Sequence, residues 1–478
     1  MNQGNSHMHR RLLAGLAATA LVLVACGGGD ESTSTTVAAE TTAGADTTSA
    51  PETTAASDGT LDVPDEFATI QEAVDAAAPG DLILVAPGTY QEAVQVETDE
   101  LTIRGLDRNT VILDGNFELE NGIRILGANG VTVENMTAMN YTHNGFFWTG
   151  VEGYRGSYLT AYRTGDYGVY AFDSMNGQLE HIYAAGSPDA GVYIGECYPC
   201  NAVIDDTVSE HNGLGYSGTN SGGNLLIVNS IFRFNRAGIV PNSGSYELCY
   251  PERETTIVGN EVYSNNQADT PAIDVAILAM GNGILVAGGV RNDIERNLVY
   301  DHDKTGIASV PFLEDDPNDA VPTEDEWDTP CVDQKKELPE DPGGPILWDG
   351  QQNRIIGNVV GGNRLFDLMV ASAGSDLSTL GNCFSGNTAE TTSPTDLQTL
   401  APCDATGTGD WTAGVYDIVQ WLVDVETAPP SVDWKTAPLP ELEPQENMPD
   451  ADTAPAKPAT DVPYEVDVAA IYVPAKSS

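Results

Sequence analysis

The side chains best suited to acid–base chemistry stand in two short clusters. Asp205-Asp206 is followed by Glu210-His211, and Asp301-His302-Asp303-Lys304 forms the second. A carboxylate beside an imidazole raises the His pKa and makes a proton-transfer pair near neutrality. Asp205, Asp206, Glu210 and His211 are therefore the candidate catalytic residues, with Glu196 close by in the chain. The plainer reading makes each His a turn residue standing where Asn would otherwise sit, and His181 falls under it too. His211 and His302 read as equivalent positions three repeats apart, about 14 Å at the spacing of stacked strands. That is too far for one metal ion or one proton relay.

A binding signature lies elsewhere. Phe147, Tyr170 and Tyr193 follow one another at steps of 23 residues, and Tyr141, Tyr154, Tyr158, Tyr162, Tyr167, Tyr183 and Tyr198 crowd the same stretch. Flat aromatic faces give large, rigid contact area and suit pyranose rings. The competing reading is a strip covered by a loop and used for packing.

The elements that must position these residues are marked by glycine. Gly122, Gly145, Gly168, Gly191, Gly215, Gly238, Gly283 and Gly306 recur at steps of 23, 23, 23, 24, 23, 45 and 23, so one repeat carries an insertion. Each precedes a short β-prone run. A period of this size means stacked supersecondary units, and strands broken by Gly and Asn mean a coil of strands and turns. The expected fold is all-β, a single-stranded right-handed parallel β-helix with about 23 residues per coil.

In each run the residue after Gly points inward and the next outward. The inward set is Ile123, Phe146, Val169, Val192, Ile239, Ile284 and Ile307. The outward set is Arg124, Phe147, Tyr170, Tyr193 and Ser217, so the aromatic residues form one line facing solvent. Loops 195–201, 242–254 and 311–350 leave the adjacent corner and are placed to wall that line into a groove.

Asparagine supplies a second register. Asn-x-apolar-x-x-Asn occurs at Asn135 to Asn140, Asn260 to Asn265, Asn358 to Asn363 and Asn382 to Asn387. It returns with substitutions at Asp206 to His211 and Asn297 to His302. Asn tolerates left-handed backbone and bonds turn backbone. Stacked at the inter-strand spacing, one amide bonds the next in an internal ladder.

Seven cysteines include Cys26 near the start. Cys197, Cys200, Cys249 and Cys331 follow glycine-led strands and so leave one corner, while Cys383 and Cys403 lie together near the end. Outside the cytoplasm these read as disulfides, with the corner cysteines stapling loops and Cys383–Cys403 a separate bridge. The pairing among the corner four is open. A thiolate metal site at Cys197-Tyr-Pro-Cys200 is the alternative.

Arg10-Arg11, the apolar stretch Leu12 to Ala25 and then Cys26 read as a signal peptide over 1–25. Leu23-Val24-Ala25-Cys26 resembles a bacterial lipobox. That resemblance implies cleavage before Cys26, lipidation of its thiol and attachment to the outside of the cell membrane. Residues 26–60 are rich in Ser, Thr and Ala and read as a flexible tether. The folded body is expected over 61–403, opening with a capping helix whose box is Thr69 to Glu72. Residues 404–478 read as a cap helix from Trp411 to Val425, then an acidic, Pro-rich tail that is extended or disordered.

Phe67-Ala-Thr-Ile-Gln-Glu-Ala-Val and Gly80-Asp81-Leu-Ile-Leu-Val-Ala-Pro-Gly88-Thr-Tyr90 resemble the N-terminal cap of pectin-lyase-like β-helix proteins. With the coils, the resemblance covers 61 to about 390. It implies the fold and, by analogy, work on polysaccharide. Polygalacturonase-like hydrolases carry Gly-His-Gly and Arg-Ile-Lys motifs, which are missing beside Asp205-Asp206. Alginate epimerase-like enzymes carry Asp-Pro-His near a Tyr, and Tyr170-Ala-Phe-Asp173 lacks the Pro-His. Pectate lyase-like enzymes use acidic Ca²⁺ ligands and an Arg base. Arg291 and Arg296 are present here without the surrounding motif. β-Helix proteins resembling this one also include periplasmic factors for copper-site maturation.

The net charge of −51 excludes nucleic acid as a partner, because phosphate binding needs a basic footprint. A polyanionic sugar would be repelled unless Ca²⁺ bridged the charges, so Ca²⁺ is the one cofactor that composition suggests. The leading expectation is a cell-surface lipoprotein that binds, and as a lyase, hydrolase or epimerase modifies, polysaccharide. A non-catalytic surface scaffold or adhesion protein and a copper-handling protein are the alternatives.

Overall fold

The computed structural model of the chain describes residues 59–424, 428–459 and 465–477. The signal peptide, Cys26 and nearly all of the tether lie outside the described residues.

The coil expected from the glycine period is present. One turn consists of the strands Ala190–Gly195, Ala202–Asp205 and Val208–Glu210. Each pairs in parallel with its counterpart one turn on, in Leu214–Thr219, Gly222–Val228 and Ile231–Arg233. Among the described residues, repetition yields a long sheet of 20 strands, formed by the second and third strands of each turn, and a sheet of 11 strands, eight of them the glycine-led ones. The body is a right-handed parallel β-helix. Its interior is one continuous apolar column running from Ile83 and Ile103 through Phe146, Val192 and Ile239 to Leu368 and Phe384.

The predicted facing of the glycine-led strands is observed. Phe146, Val169 and Val192 are in register and buried, and Phe147, Tyr170 and Tyr193 form the adjacent register line. Tyr216 takes the inward place between Val192 and Ile239, with its hydroxyl donating to the Ile194 carbonyl at 3.2 Å.

The recurring glycines serve close approach. A Cβ on Gly122 would meet the Gly145 carbonyl oxygen at 2.5 Å, one on Gly145 that of Gly168 at 2.7 Å, and one on Gly168 that of Gly191 at 2.5 Å. The same contact recurs from Gly215 to Gly238, Gly238 to Gly283 and Gly283 to Gly306. None of these glycines has positive φ. The backbone of one turn simply leaves no room for a side chain on its neighbour.

The asparagine register is corrected by one residue in part of the chain. Buried amides do bond turn to turn, through Ser230, Asn260, Asn297, Asn358 and Asn387 in one ladder. A second runs through Asn212, Asn235, Asn265, His302 and Asn363. Asn135, Asn140, Asp206 and His211 instead hold left-handed corner positions, with φ of 58°, 59°, 46° and 57°. Thr207 and Asn212, the residues after the last two corners, bond to the next turn at Ser230 and Asn235, so Asn212 fills the place expected of His211, while Met136 and Tyr141 after the first two join the apolar core. Asn382 stacks on Asn353, so that pair starts one corner earlier than its spacing implied. Asn serves both left-handed corners and amide ladders, which is why spacing alone did not separate them.

His302 is a ladder member with both ring nitrogens engaged. Asn265 Nδ2 lies 3.2 Å from Nε2, and Nδ1 lies 2.9 Å from Asn363 Oδ1. Burial lowers its pKa to about 4. The unfolded chain takes up this proton near pH 6.5 and the folded chain does so only near 4. Stability therefore falls as pH drops through that window. His302→Asn is expected to flatten this slope in urea titrations between pH 4 and 6.5, and an unchanged slope would contradict the assignment.

The N-terminal helix Ile70–Ala76 caps the first coil, burying Ile70, Ala73 and Val74. Thr69 accepts from the Glu72 amide, and Glu72 reaches the Ala68 amide. At the far end the lid is formed by Leu397–Leu400 and Trp411. The predicted C-terminal helix is shorter, Ile418–Asp424, and lies elsewhere. Ile418 and Trp421 pack on the outer face of the glycine-led sheet with Val240, Ala308 and Met369, because that face is apolar in the later coils.

The described tail residues form a strap over the outer face of the long sheet. Leu439 and Leu442 cover Tyr162 and Tyr183, and Val466, Val468 and Ile471 cover Val203, Val228 and Val258. Beneath it runs a buried ionic row, Arg104–Glu134–Arg155–Glu180. Acidic, Pro-rich composition matched the extended conformation and concealed the docking.

Candidate functional site

The aromatic strip lies on the glycine-led sheet where its outer face is not covered by helix. Phe147 and Tyr170 are half-buried and stacked, with ring centroids 4.7 Å apart. Tyr170 also stacks on Tyr167 at 4.3 Å. Tyr193 continues the line 4.8 Å from Tyr170 but is only 1% exposed. Its hydroxyl donates to Glu247, which descends from the loop after Pro241-Asn242. The Arg124 guanidinium stands 5.5 Å from the Phe147 ring at the other end. Groove and loop cover thus both occur: the strip is open at Phe147 and Tyr170 and roofed at Tyr193.

The roof is held by disulfides. Cys249 pairs with Cys331, joining two long insertions, and Cys197 pairs with Cys200 within one loop. Cys383 pairs with Cys403 as expected. This resolves the corner pairing and withdraws both thiols of the Cys197 loop from metal ligation. Among the described residues, no three His, Cys, Asp or Glu side chains are grouped to hold a metal ion.

Four carboxyls and a lysine gather beside the roofed end. Asp189 is 6% exposed, and burial pushes its pKa up to about 7 against the opposing Tyr167 hydrogen bond, with Asp166 adding repulsion. Burial pushes Glu247 up to about 8, with Glu196 and Asp189 adding repulsion. Glu196 is raised by burial and held back by Lys335. The Lys335 ammonium bridges Asp173 and Glu196, at 3.4 Å from the latter. Glu196, Glu247 and Lys335 also face a cleft of about 230 Å³ under the insertion. Carboxyls that keep a proton near neutrality beside a salt-bridged carboxylate form an acid–base set.

The sequence-predicted catalytic residues lie on the other sheet. Asp205 ends the strand Ala202–Asp205 and accepts from Asn229 Nδ2 at 2.9 Å. Asp206 pairs with His181 at 2.7 Å, which lowers its pKa and raises that of His181. Glu210 binds Arg233 and the Tyr183 hydroxyl. His211 lies against Phe234, and burial lowers its pKa. The structure does not bring these four to the aromatic strip. The sequence reading missed Asp189, Glu247 and Lys335. Asp189 was within reach, since it precedes Gly191 by two residues in the repeat, but Glu247 and Lys335 arrive on aperiodic insertions.

Residues 121–310 match the family model described as right-handed β-helix region. The fold of the chain is accordingly a right-handed parallel β-helix. Among solved structures, it is similar to the A-module of the Azotobacter vinelandii mannuronan C-5 epimerase AlgE4. That match has 13% identity and a TM-score of 0.41, covering 67% of this chain and 90% of that one. A rhamnogalacturonan lyase matches with 11% identity and a TM-score of 0.39, covering 65% and 79%. The periplasmic alginate epimerase AlgG matches with 12% identity and a TM-score of 0.34, covering 69% and 83%. Identities this low carry no residue correspondences. No curated protein matches the sequence.

Three disulfides within one folded unit fit maturation outside the cytoplasm. Among the described residues, no helix is long and apolar enough to cross a membrane.

Proposed function

We propose that this chain is a lipid-anchored surface protein that binds polysaccharide along the Phe147–Tyr170–Tyr193 strip. The observation that carries this reading is the continuous run of stacked rings, open at one end and closed over a carboxyl cluster at the other. Sugar rings lie on Phe147 and Tyr170, and the chain end reaches toward Glu247 and Lys335. Asp189 and Glu247 supply protons there, while Asp173 and Glu196 beside Lys335 act as acceptors. That set suits a lyase, hydrolase or epimerase step. Cys26 supplies the lipid anchor, and the Ser/Thr-rich tether holds the groove away from the membrane.

The strip is walled by acids, with Arg124 and Lys335 as the basic groups beside it. Neutral glycans therefore bind without help, and uronate polymers need Ca²⁺ to offset the repulsion.

A glycan-array screen with and without Ca²⁺, followed by product analysis on the polymer retained, tests the proposal. Phe147→Ala, Tyr170→Ala and Tyr193→Ala together are expected to weaken retention at least about fivefold, at about 0.5–1.5 kcal/mol for each of the two open rings. Unchanged retention by a folded triple variant would overturn the binding reading. Absence of any glycan binding would favour the scaffold role.

A further inference from the structure

The tail contains one hexapeptide pattern three times. Asp-x-x-Thr-Ala-Pro occurs at Asp424 to Pro429, Asp433 to Pro438 and Asp450 to Pro455. The two fully described copies fold alike. In the second, the Asp433 carbonyl accepts from the Thr436 amide at 3.0 Å and the Ala437 amide at 2.8 Å. In the third, the Asp450 carbonyl accepts from Thr453 at 3.0 Å and Ala454 at 2.8 Å. This tight turn leaves the carbonyls of its second and fifth residues pointing the same way.

Each of the two described turns lands on one arginine of the solenoid. Arg163 Nη1 donates to the Trp434 carbonyl at 2.9 Å and the Ala437 carbonyl at 3.1 Å. Arg104 Nη1 donates to the equivalent pair, Ala451 at 3.4 Å and Ala454 at 2.5 Å, and its Nη2 to Pro455 at 2.8 Å. Beside the first copy, Arg236 donates to the carbonyls of its sixth residue, Pro429, and of the following Pro430, at 2.6 and 2.8 Å, rather than to the second and fifth. Arg104, Arg163 and Arg236 belong to three different coils. The spacing of the copies along the tail therefore matches a path down the solenoid.

We propose that these arginines form a peptide-binding track that recognises Asp-x-x-Thr-Ala-Pro turns, and that the chain's own tail is its ligand in cis. Recognition is through backbone carbonyls at a guanidinium fork. The tail's carboxylates are not the ligands of Arg104, Arg163 or Arg236, although the tail is acidic and the track is basic. A fixed fork meeting two aligned carbonyls selects the turn geometry, and the buried Ala437 methyl, 4% exposed, excludes larger residues at the fifth position.

Hydrogen–deuterium exchange on the full chain tests this. Arg163→Gln is expected to speed exchange in 431–440 at least tenfold while 448–458 stays protected. Ala437→Glu, which leaves the solenoid unaltered, is expected to do the same. A labelled synthetic peptide of residues 431–442 should then bind the Ala437→Glu protein and fail to bind once Arg163→Gln is added. Joint replacement of Glu441, Glu443 and Glu446 by Gln, or 0.5 M salt, should leave protection within twofold. Three results would each overturn the proposal. One is unchanged protection in both single variants. Another is uniform release of the whole tail by either. The third is release by charge neutralisation, which would make the contact simple charge attraction.

Discussion

Gly168→Ala is expected to destabilise the folded unit by about 3–5 kcal/mol, the range of severe core disruption. The new methyl would lie 2.5 Å from the Gly191 carbonyl oxygen, 3.1 Å from Ala184 Cβ and 3.2 Å from Ala161 Cβ. Relief would require the two turns to separate, yet Val169 and Val192 are held in parallel register by the same ladder. Gly150 is the control. It has φ of 67°, and a Cβ added there would meet nothing within 4 Å, so Gly150→Ala meets only backbone strain of about 1 kcal/mol. Urea denaturation of both variants would measure the difference. Equal costs would show that the glycine column is not maintained by close approach.

Glu134→Ala is the second large effect, again about 3–5 kcal/mol, the cost of breaking a buried ion pair from one side. Glu134 is fully buried between Arg104, with Nη2 2.6 Å from its carboxylate, and Arg155. Its removal leaves two desolvated guanidiniums facing each other. Arg155 retains Glu180, whereas Arg104 retains only the tail carbonyls. The double variant Arg104→Met, Glu134→Leu removes the orphaned charge and is expected to be more stable than Glu134→Ala alone. A double variant as unstable as the sum of its single changes would show that the row acts through packing and not through paired charge.

Much of the positioning was legible in the residues. The period of 23 placed the rings of Phe147, Tyr170 and Tyr193 in one line because parallel stacking repeats the register at every turn. The alternation of inward and outward residues followed from the strand pleat. The asparagine signal was weaker, since one residue type serves two neighbouring columns. His211 and Asn212 show the consequence: the titratable residue of the pair sits at the corner, and the amide beside it carries the ladder.

By itself, then, the sequence determined the β-helix, its period, its inward and outward sets and the aromatic line. These depend on local conformation repeated with a constant step. The tertiary structure decided which part of that line stays open and which carboxyls gather beside it. It also decided where the tail lies. Glu247 and Lys335 reach the strip on insertions of unequal length, joined by Cys249–Cys331, and no repeat records their path. The tail docks through backbone carbonyls, which every sequence possesses, so its partners Arg104, Arg163 and Arg236 became visible only in the assembled fold. The raised pKa values of Asp189 and Glu247 have the same origin, since burial under a roof is a property of the assembled fold.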